Sequence, residues 1–167
     1  MAGLDDLRQM LDDRIEKDPG LKVNAEVVLE SWRIRERARL EDQLRELKAE
    51  HNGRLSGADT ADLDNQIQEQ QDAIEASTLV LHFQALSTVA YRNLLEDHPE
   101  TKLNNWGGFL ATVASKCYRG CKFKGAEYTA DQMPLDGIRQ NLSDGEWDPI
   151  VGLVMDLNRE KAGDRPF

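Results

Sequence analysis

The sequence predicts an all-α protein: an N-terminal antiparallel αα-hairpin, coiled-coil-like, followed by a compact C-terminal helical domain. Three observations carry this expectation. Apolar residues recur at spacings of three and four through most of the chain, the period of an amphipathic helix. Between residues 24 and 76 charged side chains fill the remaining positions and leave only a narrow apolar stripe. Helix start and stop residues (Asn, Asp, Thr, Ser at starts; Gly and Pro at ends) separate the periodic segments. An abrupt apolar shift at residue 77 places a domain boundary there, giving a helical region 1–76 and a compact domain 77–167.

Taken in order, residues 4–17 form a short amphipathic helix through Leu4, Leu7, Leu11 and Ile15, stopped by the sequence DPG at 18–20. A second helix starts near Asn24, a good N-cap, and runs to about His51. Its stripe is Val28, Trp32, Leu40, Leu44 and Leu47, with Arg and Glu at pairing distances around it. Gly53 caps its end, Gly57 loosens the loop, and Asp59 or Thr60 caps the next helix, which carries Leu63, Ile67 and Ile74. The run STLVLHF at 77–83 reads either as a short strand or as a buried helix start. The continuing spacing of Leu79, Phe83, Leu86, Ala90 and Leu94 favours helix, ended by Pro99. Residues 104–120 form a further helix with Trp106, Phe109, Leu110, Val113 and Cys117 on one face and Gly120 at its end. Thr129 and Gln132 spell a capping box for a short helix. In the closing stretch Ser143 and Glu146 spell another, but Pro149 follows too soon. Asp148 as cap with Pro149 at the first helical position resolves the conflict and starts the last helix at Pro149, running to about Arg159.

The totals limit the function. The chain has 167 residues with 21 basic and 31 acidic side chains, a net charge of −10. That charge disfavours nucleic acid and anionic membranes as partners, because both need a basic face. No segment approaches the apolar length of a membrane span, and the acidic N-terminus lacks a signal-peptide layout. Two cysteines form no disulfide framework, which fits a reducing cytoplasm.

Candidate chemistry is sparse. Cys117 and Cys121 lie four apart, but His51, His82 and His98 are scattered, so buried reduced thiols are expected rather than a metal site. The acidic runs belong to solvated helix faces rather than to a catalytic cleft. No catalytic, cofactor-binding or metal-binding residue is assigned. The one basic patch runs from Lys116 to Lys124 and includes Arg119 and Lys122; it reads as a charged helix end, and also as a surface for self-association with the acidic N-terminal helices.

The order of features carries more than any single motif. A Leu/Glu/Arg-rich helical front leads into LVLHFQALSTVAYRNLLEDHPE, then WGGFLATVASKC, TADQM and LSDGEWDPIVGLVMDLNRE. The residues are Phe83, Leu86, Ala90, Tyr91, Leu94, His98, Pro99, Phe109, Leu110, Cys117, Leu142, Ser143, Asp144, Gly145, Trp147 and Asn158. Over residues 60–167 this resembles the tail assembly chaperones of long-tailed, siphovirus-type phages of actinobacteria. Two features depart from that pattern: the basic YRGCKFKG after Cys117, and Pro149 in the closing helix. The resemblance implies a non-enzymatic protein of the host cytoplasm. It would bind the tape measure protein, keep its helical segments soluble, and help recruit tail tube subunits. A client helix would lie in an amphipathic groove, for which Phe83, Leu86, Trp106, Phe109 and Trp147 are the candidate partner-binding residues; core positions are the competing assignment for each. The alternative is a helical structural or adaptor protein, a virion component or coiled-coil module, with the hairpin of 24–76 as its working part. An enzyme or a DNA-binding regulator fits less well, since no polar set converges and no basic recognition helix follows a tight turn.

Overall fold

The structure, a computed structural model, describes residues 7–10, 13, 21–51, 54 and 56–163, with side-chain surroundings described as far as Arg159. Residues 7–10 and 13 are helical. The rest of the helix expected over 4–17, its stop at 18–20 and the cap at Gly53 lie outside the described residues.

The all-α expectation is wrong. Among the described residues helix accounts for 65% and strand for 17%, and four strands form one antiparallel sheet in the order β1-β2-β3-β4. The strands are β1 (Lys22–Val28), β2 (Thr78–Gln84), β3 (Tyr118–Phe123) and β4 (Ala126–Thr129). Three misread segments account for the error. Asn24 is not a helix cap. It lies in β1, where exposed Lys22, Asn24 and Glu26 alternate with Val23, Ala25 and Val27. In β2 the buried residues are Leu79, Leu81 and Phe83, every second position, which a strand satisfies and a helix does not. The helix expected to end at Gly120 stops at Cys117, and Tyr118 begins a strand.

The register between β1 and β2 is fixed at both ends. Leu29 N–H donates to Ser77 O at 3.0 Å, and Ala85 N–H donates to Leu21 O at 2.8 Å. That register puts Asn24 opposite His82, whose ring Nδ1 lies 2.8 Å from Asn24 Oδ1. β3 and β4 are joined by Lys124 and Gly125, both at positive φ (49° and 81°). A two-residue turn of that hand matches the twist of the flanking strands. In β3 the exposed residues Arg119 and Lys122 are three apart, with Gly120 and Cys121 both buried between them. The extra residue marks a β-bulge. It sits at Gly120, whose φ of +143° excludes most side chains; a Cβ there would lie 2.2 Å from Tyr128 O.

The chain divides into two compact units. One comprises residues 26–79 and 123–126. It contains α1 (Trp32–Glu50) and α2 (Gly57–Ala76), which pack side by side as the expected αα-hairpin. The seam is thin: Leu40, Thr60 and Ile74 are the buried residues of the two helices. Toward the strand end it turns polar, with Arg33 donating to Gln70 Oε1 at 3.2 Å and Arg37 to Gln71. Ser56, not Asp59 or Thr60, caps α2; its N–H and hydroxyl both reach the Asp59 carboxylate at 2.8 Å.

The other unit comprises residues up to Ala25, 80–122 and from Glu127 onward. It holds α3 (Thr88–Asp97), a 3-10 turn (Pro99–Leu103), α4 (Gly107–Cys117), α5 (Leu135–Arg139) and α6 (Asp144–Gly163). α4 packs against α3 and α6. Leu81, Phe83, Phe109, Val113, Cys117, Cys121 and Val154 are fully buried and form the centre of the core. Asn158 is buried among them and satisfied on every side. Its Oδ1 accepts from Leu86 N–H at 2.9 Å, and its Nδ2 donates to Val154 O at 2.8 Å and to Cys117 Sγ at 3.3 Å. The Thr129–Gln132 pair makes its reciprocal hydrogen bonds, but it closes a turn; the short helix α5 begins only after Pro134.

The last helix also corrects an expectation. It starts at Asp144, not at Pro149. The Ser143 N–H and hydroxyl bond the Glu146 carboxylate at 2.9 and 2.7 Å, so the capping box forms and Pro149 lies inside the helix. A proline there removes one donor and frees the carbonyl one turn back, at Gly145, which is exposed to solvent. No helix among the described residues is long and apolar enough to cross a membrane.

Candidate functional site

The five candidate partner-binding residues separate into two groups. Phe83 and Phe109 are fully buried, and Trp147 is buried with the Arg139 guanidinium 5.0 Å over its ring. Leu86 is half-buried, its backbone held by Asn158. Trp106 alone is open, with 36% of its surface exposed. Phe109 is a hub beneath it: the rings of Tyr91, His98 and Trp106 each meet it edge-on at 5.6, 5.9 and 5.8 Å. Burial raises the pKa of the Tyr91 hydroxyl above its ordinary value. The sequence therefore marked three core residues, one half-buried residue and one exposed anchor, and of the core three it is Phe109 that shares the aromatic cluster of Trp106.

Trp106 is positioned by the turn that precedes α4. Asn104 adopts the left-handed conformation (φ 61°), and its side-chain oxygen accepts from the Trp106 indole N–H at 3.2 Å. Behind the turn, His98 and Glu100 pair at 2.7 Å, and that contact holds the Glu100 carboxyl below the usual carboxylate range. Gly108 leaves room for this pair: a Cβ there would lie 3.3 Å from Glu100 Oε1.

Trp106 forms one wall of a groove of about 470 Å³ between α4 and α6. Leu110 continues that wall, one turn further along α4. The facing side of α6 presents two rows: Val151 and Met155 at the floor, and Asp148, Gly152 and Asp156 along the rim, with Arg159 at the far end. These positions advance by three and four, so one stripe of α6 faces the groove over about three turns. Gly152 opens the middle of the rim, where a Cβ would meet nothing within 4 Å. Leu110, Gly152 and the three charged residues were not among the expected site residues. The apolar positions of α6 read as core in the sequence, and the Asp-x-x-x-Gly-x-x-x-Asp row beside them carried the missed signal.

The basic patch belongs to β3 and its turn, not to a helix end. Arg119 donates to Gln84 at 3.0 Å and to the Lys116 and Tyr118 carbonyls at 2.8 and 3.1 Å. Lys122 lies 3.9 Å from Glu127, which also takes His82 Nε2 at 3.2 Å. Lys124 sits 5.4 Å over the Phe123 ring. Cys117 ends α4 and Cys121 lies in β3, so they do not share a helix face; both are buried thiols outside any disulfide. Among the described residues no group of His, Cys, Asp or Glu has the arrangement of a metal site.

Compared with protein families, curated proteins and solved structures, the chain matches none.

Proposed function

We propose that this protein is a non-enzymatic tail assembly chaperone that acts in the host cytoplasm, binds the tape measure protein and keeps it soluble while a phage tail is built. The reading comes from the ordered resemblance along residues 60–167. The observation that carries it to a site is the groove beside Trp106: an exposed indole braced on a rigid aromatic hub, facing an apolar floor. An anchor of that kind suits a client that offers apolar helical surface. The acidic balance of the chain would keep such a complex soluble. Tail tube subunits are a second proposed partner.

The test is co-expression with helical segments of a tape measure protein, followed by sedimentation. The segments should stay in the supernatant with the wild-type chain and pellet without it. Trp106→Ala should weaken binding by about thirtyfold, the effect of losing an aromatic anchor. Segments whose solubility is indifferent to the chain would refute the proposal.

The adaptor reading retains one specific support, the exposure of Trp32 and Ile34 on the αα-hairpin. Leu29 and Ser77 are hydrogen-bonded at 3.0 Å, so the hairpin can be replaced by a short turn between them. If that variant loses tape measure binding while its Trp106 groove stays intact, the adaptor reading wins.

A further inference from the structure

We propose that the groove between Trp106 and α6 receives one amphipathic helix of a partner protein, with lysine or arginine on the flank that meets Asp148 and Asp156. This deepens the function proposed above and rests on it for the partner's biological identity, but the binding chemistry stands on the groove itself.

The shape comes first. The lining of α6 is a single stripe over about three turns, and a straight stripe of that length complements another helix better than a loop or a small molecule. Gly152 lies between the two aspartates, and the space above it is empty, so a second helix can approach the backbone closely there. Trp106 and Leu110 close the opposite side with apolar surface.

Charge then selects the occupant. α6 carries four acidic residues between Asp144 and Asp156. Asp144 is paired with Arg139 at 2.8 Å, and Glu146 is bound by Ser143. Asp148 and Asp156 are exposed, and neither makes an ion pair among the described residues. They stand eight residues apart on one face of the helix, about 12 Å along its axis. Basic residues seven or eight apart on an opposing helix reach both. Among the described residues the cation at the rim is Arg159, at the far end, where an acidic residue of the occupant would face it.

The probe is a synthetic helical peptide of about 18 residues, with leucines at helical spacing and lysines placed to meet the two aspartates. A twin with glutamates in place of the lysines is the control. Binding to the full chain is measured by fluorescence anisotropy of a peptide label. The lysine peptide should bind, and salt should weaken it. Asp148→Asn combined with Asp156→Asn should reduce affinity by about tenfold. Gly152→Leu should abolish binding while leaving the thermal melting temperature unchanged or raised, because leucine favours helix over glycine and fills empty space.

The proposal is overturned if the lysine peptide does not bind, if the glutamate peptide binds equally, or if Gly152→Leu binds like wild type. A chain that is dimeric by analytical ultracentrifugation, and made monomeric by Gly152→Leu, would assign the groove to a second copy and also overturn it. The two proposals fail separately. If Gly152→Leu no longer binds peptide but still holds tape measure segments in the supernatant, the groove is not the client site and the chaperone function survives. If wild type binds peptide but does not solubilise those segments, the groove stands and the chaperone reading fails.

Discussion

Replacing Asn158 by leucine tests whether one buried amide holds the end of β2 to α6. The side chains are close in volume, so the cavity contribution is small. What changes is hydrogen bonding. The Val154 carbonyl keeps its place in the helix ladder, and the Cys117 thiol is a weak acceptor, so losing Nδ2 costs little at either. The Leu86 N–H is different, because Asn158 Oδ1 is the acceptor it uses, at 2.9 Å. Taking a partner from a half-buried backbone donor costs up to what a fully buried one loses, about 1–3 kcal/mol. The added apolar burial of leucine returns about 1 kcal/mol. The expected net loss is about 0–2 kcal/mol, centred near 1 kcal/mol. Asn158→Ala lacks that return and leaves a void, so about 2–4 kcal/mol is expected. Urea unfolding followed by tryptophan fluorescence measures both. With a slope of about 2 kcal/mol per molar, Asn158→Leu moves the midpoint down by about 0.5 M, and by no more than about 1 M, with the slope unchanged. A leucine variant more stable than wild type would refute the reasoning, since the gain in apolar burial would then exceed any need of the Leu86 N–H for the amide.

Three further outcomes follow from local geometry. Gly120→Ala should cost about 2–4 kcal/mol in thermal unfolding, because the new Cβ meets Tyr128 O at 2.2 Å in a left-handed backbone, whereas Gly125→Ala, at φ +81° in open space, should cost about 1 kcal/mol; equal losses would contradict the bulge. Burial, with a smaller contribution from Cys121, raises the pKa of the Tyr118 hydroxyl well above its ordinary value, and its proton bonds Met133 O at 2.9 Å. The unfolded chain therefore gives up this proton first, and stability should be fully present below about pH 10 and fall above it; Tyr118→Phe should remove that alkaline loss in melts across the range. Bonds from Ser143 hold the Glu146 carboxyl below the usual carboxylate range. Its contribution is present above about pH 4.3 and lost as the pH falls through the lowered value; a Glu146→Gln variant whose acid melting curve overlays wild type would remove the capping box from the account.

The helical parts were legible where one period explained every apolar residue. Leu40, Leu44 and Leu47 fit only a helix; α2 lies close to where the sequence places it, and α1 ends as expected but starts at Trp32, not near Asn24. β2 was misread because Leu79 and Phe83 satisfy both a four-residue helical step and two strand steps. The deciding residue was Leu81, buried between them, and β-branched Thr78 and Val80 pointed the same way. β1 had a clean alternation of its own, masked by the expectation that Asn24 begins a helix. β3 is harder, since the bulge at Gly120 breaks the two-residue period and hides the strand. Its turn is harder still, because Lys124 occupies a position where asparagine or aspartate would have given a recognisable signal. At the candidate site Trp106 was visible as a large apolar residue at a helix start. The groove was not, because it exists only once α4 lies beside α6.

The bond between Leu29 and Ser77 also bears on how the chain folds. β1 and β2 are neighbours in the sheet, yet a helical hairpin of 19- and 20-residue helices is inserted between them. Closing a flexible loop of about fifty residues to pair them carries a loop-closure entropy that grows with its length. Formation of α1 and α2 first would bring the ends of β1 and β2 together and reduce that entropy before any strand bond forms. In kinetic terms the hairpin is then an early, local element and the sheet a late one. Leucine-to-alanine changes at Leu40 should slow refolding, while changes at Leu81 should mainly speed unfolding.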